Sequence, residues 1–176
     1  MEFKRICLIS LLLMIGLVIG CTKAPAPDVT QVKPMEIEVD WVFFESLEEM
    51  LKEADDVLLL KDVSFQGVET YEFEYLIYQA EVIRSRNNVF PLGDFTFKVM
   101  NEHQGGDVID MLESKDQVVV FVKQYDAAGP PSILPPYVSV IGVEGEKLEF
   151  MPVMADLIQR GEILFPVESL SDLFGE

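Results

Sequence analysis

A small antiparallel β-barrel with one leading helix and short closing helices is the fold this 176-residue chain predicts, on three observations. Short runs rich in β-branched and aromatic residues recur between turn signals over residues 57–154. One of them, Tyr71 to Arg84, is long and moves its apolar phase from Tyr71, Phe73, Tyr75 and Ile77 to Leu76, Tyr78, Ala80 and Val82. A bent strand shared between two sides of a barrel would show that change of face. Helix signals are few: one precedes the strands, one interrupts them before a later strand, and two close the chain.

The elements follow in order. Met35 to Trp41 alternates Ile37, Val39 and Trp41 with Glu36, Glu38 and Asp40, the pattern of an edge strand. Ser46-Leu47-Glu48-Glu49 fits a capping box, in which the Ser46 hydroxyl accepts from the Glu49 amide and the Glu49 carboxylate returns to the Ser46 amide. Leu47, Met50, Leu51 and Ala54 then recur at helical spacing, with Glu45, Glu48, Glu49, Lys52 and Glu53 left to water. Val57 to Phe65 is apolar on both faces, as a central strand is, and Gln66-Gly67 supplies a turn signal.

After Tyr71 to Arg84, Asn87-Asn88 and Pro91-Leu92-Gly93 mark a connection, and Phe95, Phe97 and Val99 form a shorter strand. Asp107 to Glu113 predicts a two-turn helix with Val108, Met111 and Leu112 inward. Val118 to Tyr125, Tyr137 to Val143 and Leu148 to Met154 are the remaining strands, the last two joined by Glu144-Gly145-Glu146. Helices are expected at Ala155 to Arg160, before Gly161, and at Glu168 to Phe174, before Gly175. A leading helix, a long bent strand and a helix before the fourth major strand together describe a Greek-key barrel of the OB type, with a sandwich as the alternative.

The first 34 residues read differently. Lys4 and Arg5 precede an uncharged apolar run from Ile6 to Ile19, which as a helix at about 1.5 Å per residue falls short of a ~30 Å hydrocarbon core. Val18-Ile19-Gly20-Cys21 closes that run and resembles the lipobox of bacterial lipoproteins. The resemblance implies a signal peptide over residues 1–20, cleavage between Gly20 and Cys21, and a diacylglyceryl group on the Cys21 thiol. A second acyl chain on the new amine would make the anchor stable, because one chain alone binds a bilayer marginally. The chain would then be membrane-bound and face outside the cytoplasm. Residues 21–34, with three prolines, form a semi-extended tether, and residues 35–176 the barrel domain.

Cleavage at that point removes 20 of 176 residues and leaves 156, enough for one domain with a real core. The mature chain would carry 11 basic and 30 acidic residues, a formal charge of −19, and no cysteine besides Cys21, so no disulfide supports it. So acidic a surface disfavours phosphate backbones, and Glu72 and Glu74 interleave the aromatics of the strand that would line a groove. Nucleic acid is therefore not an expected partner. Cations or basic partners suit the charge better, although acidity is also how many proteins stay soluble.

Beyond the lipobox, the segments SLEEMLKEADDVLLLKDVSF, YEFEYLIYQAEVI and DQVVVFVKQYD resemble a group of bacterial envelope lipoproteins, over roughly residues 46–143. The same spacing is similar to the netrin and metalloprotease-inhibitor domains, which are OB barrels. Those inhibitors act through a free, disulfide-linked N-terminal cysteine. Cys21 would be acylated and has no partner, so inhibition is not implied.

No catalytic, cofactor or metal residue can be assigned with a motif behind it. His103 is the only histidine and reads as a loop residue beside Gly105-Gly106; one imidazole falls short of a zinc set or a nucleophile triad. No EF-hand loop is present, which leaves weak calcium binding at Glu45, Glu48, Glu49, Asp55 and Asp56 as the open alternative to a wetted helix face. The Pro-rich segment Ala127 to Pro136 is the expected contact surface: its four prolines restrain it, and Ile133 and Leu134 are apolar. The competing reading plugs those two residues into the barrel end. The function expected is binding or assembly at the envelope without catalysis, the partner unidentified, with a carboxylate-dependent envelope hydrolase as the alternative.

Overall fold

The computed structural model describes residues 44–70, 73–101, 106–134 and 139–175. The leader, Cys21, the tether and the strand expected at Met35 to Trp41 lie outside the described residues, as do Glu72 and His103. The described elements are α1 (Leu47–Glu53), β1 (Asp56–Thr70), β2 (Glu74–Ser85), β3 (Gly93–Met100), α2 (Gly106–Ser114), β4 (Gln117–Lys123), β5 (Ser132–Ile133), β6 (Val140–Glu144), β7 (Lys147–Phe150), α3 (Pro152–Gln159) and α4 (Leu170–Phe174).

The strands form one sheet in the order β1-β2-β3-β5-β4-β6-β7, and β1 also pairs with β4. That extra pairing closes five strands, β1-β2-β3-β5-β4, into a barrel, with β6 and β7 as an extension of β4. All pairings are antiparallel except β3 with β5. The expected closed Greek-key barrel with a leading helix and short C-terminal helices is the architecture found.

Two apolar layers result from strand alternation. Leu58 and Leu60 of β1, Tyr78 of β2, Phe97 of β3 and Val118, Val120 and Val122 of β4 fill the barrel, and α2 packs on them through Val108, Met111 and Leu112, as its spacing predicts. The opposite phase of the same strands, Val57, Leu59, Val119 and Phe121, joins Leu47 and Met50 of α1, Met154 of α3 and Leu170 and Leu173 of α4 in a second layer outside the barrel. Each large side chain fully buried this way is worth about 1.5–3 kcal/mol relative to exposure. Inside the barrel the Tyr78 ring stacks on Phe97 at 5.7 Å, and its hydroxyl donates to Glu113 Oε1 at 3.2 Å. Burial, reinforced by Glu113, drives that phenol far above its ordinary pKa.

Three expectations are corrected. The irregularities lie in the β1–β2 pairing: at Leu59/Leu60 the extra residue is Ile83 of β2, and at Lys61/Ser64 and Phe65/Gly67 it belongs to β1. β2 keeps Leu76, Tyr78, Ala80 and Val82 in the barrel throughout; the apparent change of phase arises because Ile77 is apolar and buried on the other face. Gln66-Gly67 is no turn, since β1 runs on to Thr70 and Gly67 occupies one of its bulges, a common place for glycine in a strand. The chain leaves β7 at Phe150 and begins α3 at Pro152, earlier than expected, because proline suits the first helical position.

Local signals elsewhere hold. Ser46 Oγ accepts from the Glu49 amide at 3.3 Å, although the Glu49 carboxylate returns to the Glu45 amide at 2.8 Å instead of that of Ser46. Gly145, at φ 64°, and Glu146 form the two-residue turn of the β6–β7 hairpin, where Glu144 pairs Lys147. Ser169 caps α4, and Gly175 ends it at φ 76°.

Candidate functional site

Ile133 and Leu134 form no exposed tip; both are buried, as the reading that plugs them into the barrel end has it. Ile133 is buried in the barrel, and Leu134, with no exposed surface, belongs to the outer layer. The reason is a strand that the prolines conceal: β5 is two residues long, yet it pairs with both β3 and β4 and so completes the ring. Pro131 lacks an amide hydrogen, but its carbonyl accepts from the Lys98 amide at 2.9 Å. Among the described residues of the Pro-rich connection, the exposed part is Tyr125 to Ala128.

That part is ordered by its own side chains. Gln124 Nε2 donates to the Gly129 carbonyl at 2.8 Å and also to that of Asp126, while Asp126 Oδ1 accepts from the Ala128 amide at 3.0 Å. Asp55 Oδ2 accepts from the Gln124 amide at 2.7 Å and ties the loop to the start of β1.

Beneath this loop the strand register builds a row. Lys98 of β3 and Lys123 of β4 both pair with Ser132 of β5. Each precedes or follows a barrel residue, Phe97, Val122 or Ile133, so alternation turns all three to the outward face of the sheet, where Ser132 is buried and the two lysines half-buried. Lys98 Nζ stands 4.8 Å from the centre of the Tyr75 ring, and Lys123 Nζ 5.5 Å from that of Tyr125. A β-carbon on Gly129 would stand 3.7 Å from Lys98 Nζ, so the loop lies close over that lysine. Lys123 also donates to Glu53 at the end of α1; that hydrogen bond is the main reason its pKa is raised. Tyr125 keeps 62% of its surface in solvent. The covered remainder raises its phenol pKa, against the pull of Lys123.

Two tyrosines, two lysines and a pre-ordered loop thus come together where β3 and β4 flank β5. Sequence reasoning places Tyr75 on the groove strand. It gives no reason to single out Lys98, Lys123 or Tyr125, whose only signal is that each stands next to or near an inward-facing strand residue.

The acids considered for calcium do not converge. Asp56 is fully buried and accepts from the amides of Val57, Asn87, Val89 and Phe90 and from the Ser85 hydroxyl. Asp55 serves Gln124, and Glu49 serves the Glu45 amide. Among the described residues no group of three or more histidines, cysteines or acids is arranged to hold a metal ion. A separate polar cleft of about 330 Å³ lies where β1 parts from β4, lined by Lys61, Asp62, Val63, Lys115, Asp116 and Gln117. Its lysines are already engaged, Lys61 with Glu81 at 2.9 Å and Lys115 with Glu149. No protein family, curated protein or solved structure matches the chain.

Proposed function

We propose that this is an envelope lipoprotein, anchored through lipid on Cys21, that acts by binding, and that its contact surface is the Tyr75–Lys98 and Lys123–Tyr125 end of the barrel. One observation carries the choice of surface: two lysine–tyrosine contacts flank Ser132 beside a loop that Gln124 and Asp126 hold in shape. A loop ordered before binding loses little conformational freedom on contact, so more of the interaction energy appears as affinity. The anchor adds to this by confining the protein to a surface, where weak contacts gain from raised local concentration.

Attachment is tested by fractionating cells. Cys21→Ser should move the protein out of the membrane fraction, and mass spectrometry of the wild type should show a lipidated Cys21 at the mature N-terminus. The contact surface is tested by crosslinking in intact cells with wild type and with Tyr125→Ala combined with Lys123→Gln. Adducts that vanish in the double variant, with its thermal midpoint unchanged, support the reading. Adducts that persist, or that vanish only with Ile133→Asp and Leu134→Asp in a folded protein, overturn it.

A further inference from the structure

We propose that the β2–β3 connection is a bilayer contact, with Val89 and Leu92 entering the boundary between headgroups and acyl chains; the proposal rests on the reading of Cys21 as the lipid anchor. Both side chains are well exposed, at 55% and 67%. Leu164 is as exposed, at 66%, so exposure alone selects nothing. The backbone that carries the pair does.

Lipid offers no partner to a bare N–H, so a loop enters it at low cost only if its own chain accepts those hydrogens. Here the chain does. The Arg86 amide donates to the Val57 carbonyl at 3.0 Å, that of Asn87 to Asp56 Oδ1 at 2.9 Å, and that of Asn88 to Ser85 Oγ at 2.9 Å. Those of Val89 and Phe90 donate to Asp56 Oδ2 at 3.0 and 3.2 Å, and Pro91 has no amide hydrogen. Residues 86–91 thus bring no unsatisfied backbone donor. Phe90 turns inward, its ring 5.3 Å from that of Phe95, and this fixes the loop while Val89 and Leu92 stay outside. A tip held in shape beforehand loses little freedom on contact.

Charge points to the same loop. From Val82 to Gly93 the chain has Arg84 and Arg86 and no acid, although the whole carries 31. Carboxylates are costly to bring into lipid, and this tip brings none. Asp56, which holds the loop, is already buried. Asn87 Nδ2 donates to the Asp55 carbonyl at 3.0 Å, and the Asp55 carboxylate accepts from the Gln124 amide. Contact here therefore keeps the Tyr125 loop close to the membrane.

The test places the full lipidated chain in phosphatidylcholine vesicles, which carry no net charge, with a nitroxide on Val89→Cys, Leu92→Cys or Leu164→Cys. A lipidated Cys21 has no thiol left to take the label, and mass spectrometry checks that lipid. Collisions with oxygen, which concentrates in lipid, and with a water-soluble nickel chelate locate each label. Those at 89 and 92 should show an oxygen-to-nickel ratio several-fold above that at 164, with the thermal midpoint of each variant unchanged. Water-like ratios at all three positions of a lipidated chain overturn the loop contact and leave the anchor standing. Lipid-like ratios at all three mean that the chain is spread on the surface, which overturns it as well. Labels at 89 and 92 shielded from oxygen and nickel alike replace the bilayer with a protein partner. A chain that carries no lipid on Cys21 and leaves the vesicles overturns the anchor, and this proposal with it.

Discussion

Two loops that meet the start of β1 use the same chemistry for opposite purposes. At the start of β1, the Asp56 carboxylate is buried, accepts from the Val57 amide, and gathers the 85–90 connection onto itself through three backbone amides and one hydroxyl. In the β4–β5 connection, Asp126 and Gln124 also bind backbone, but the side chains they order leave Tyr125 in solvent. A polar group that faces inward and is saturated by the chain holds the fold. Polar groups that order a loop from outside leave their aromatic neighbour available to a ligand.

The largest effect that tests this contrast is at Asp56. Asp56→Ala leaves several buried amides without an acceptor and should cost about 3 kcal/mol or more in urea unfolding, since each orphaned group costs about 1–3 kcal/mol. A loss under 1 kcal/mol would mean that the 85–90 connection does not depend on this acid.

Leu134→Ala should cost about 2–4 kcal/mol, as for other fully buried leucines. A near-neutral result would return Leu134 to the exposed contact role. Gly142→Ala tests how closely α2 lies on the sheet, because a β-carbon there would stand 2.7 Å from Met111 Sδ and 3.3 Å from Lys115 Cγ. About 1–2 kcal/mol is expected, from overpacking that the methionine relieves in part. Tyr125→Ala, by contrast, should change stability by less than about 0.5 kcal/mol while removing ligand contact, as befits an exposed ring.

The smallest effect concerns pH. A hydrogen bond from Lys115, with its charge, holds Glu149 below the ordinary carboxylate value of 4.5. A depressed folded-state pKa means stability that is present above 4.5 and fades as pH falls through the lowered value. Lys115→Met should flatten that acid limb of the stability profile slightly, the pair being solvent-exposed. A steeper limb in the variant would contradict the assignment.

Much of the fold is legible residue by residue. The Ser46 cap, the α2 face of Val108, Met111 and Leu112, and the Gly145-Glu146 hairpin all depend on partners within a few positions, and each is found. The acidic balance and the uncharged apolar run before Cys21 are likewise properties of the sequence alone. The candidate site is far less legible. Tyr75, Lys98, Lys123 and Tyr125 come from three strands and a loop, and no motif links them.

What only the tertiary structure decided is closure and its consequences. β5 has two residues among prolines, too few to show a period, and it is a strand only because β3 and β4 supply partners on both sides. The same closure buries Ile133 and Leu134 on opposite faces of the sheet and lines up Lys98, Ser132 and Lys123. The bulges of the β1–β2 pairing fall on both strands, a matter of register between them. Alternation and capping are local and survive in any single segment. Register and ring closure are relations between distant segments, so the physical information that sets them exists only once those segments have met.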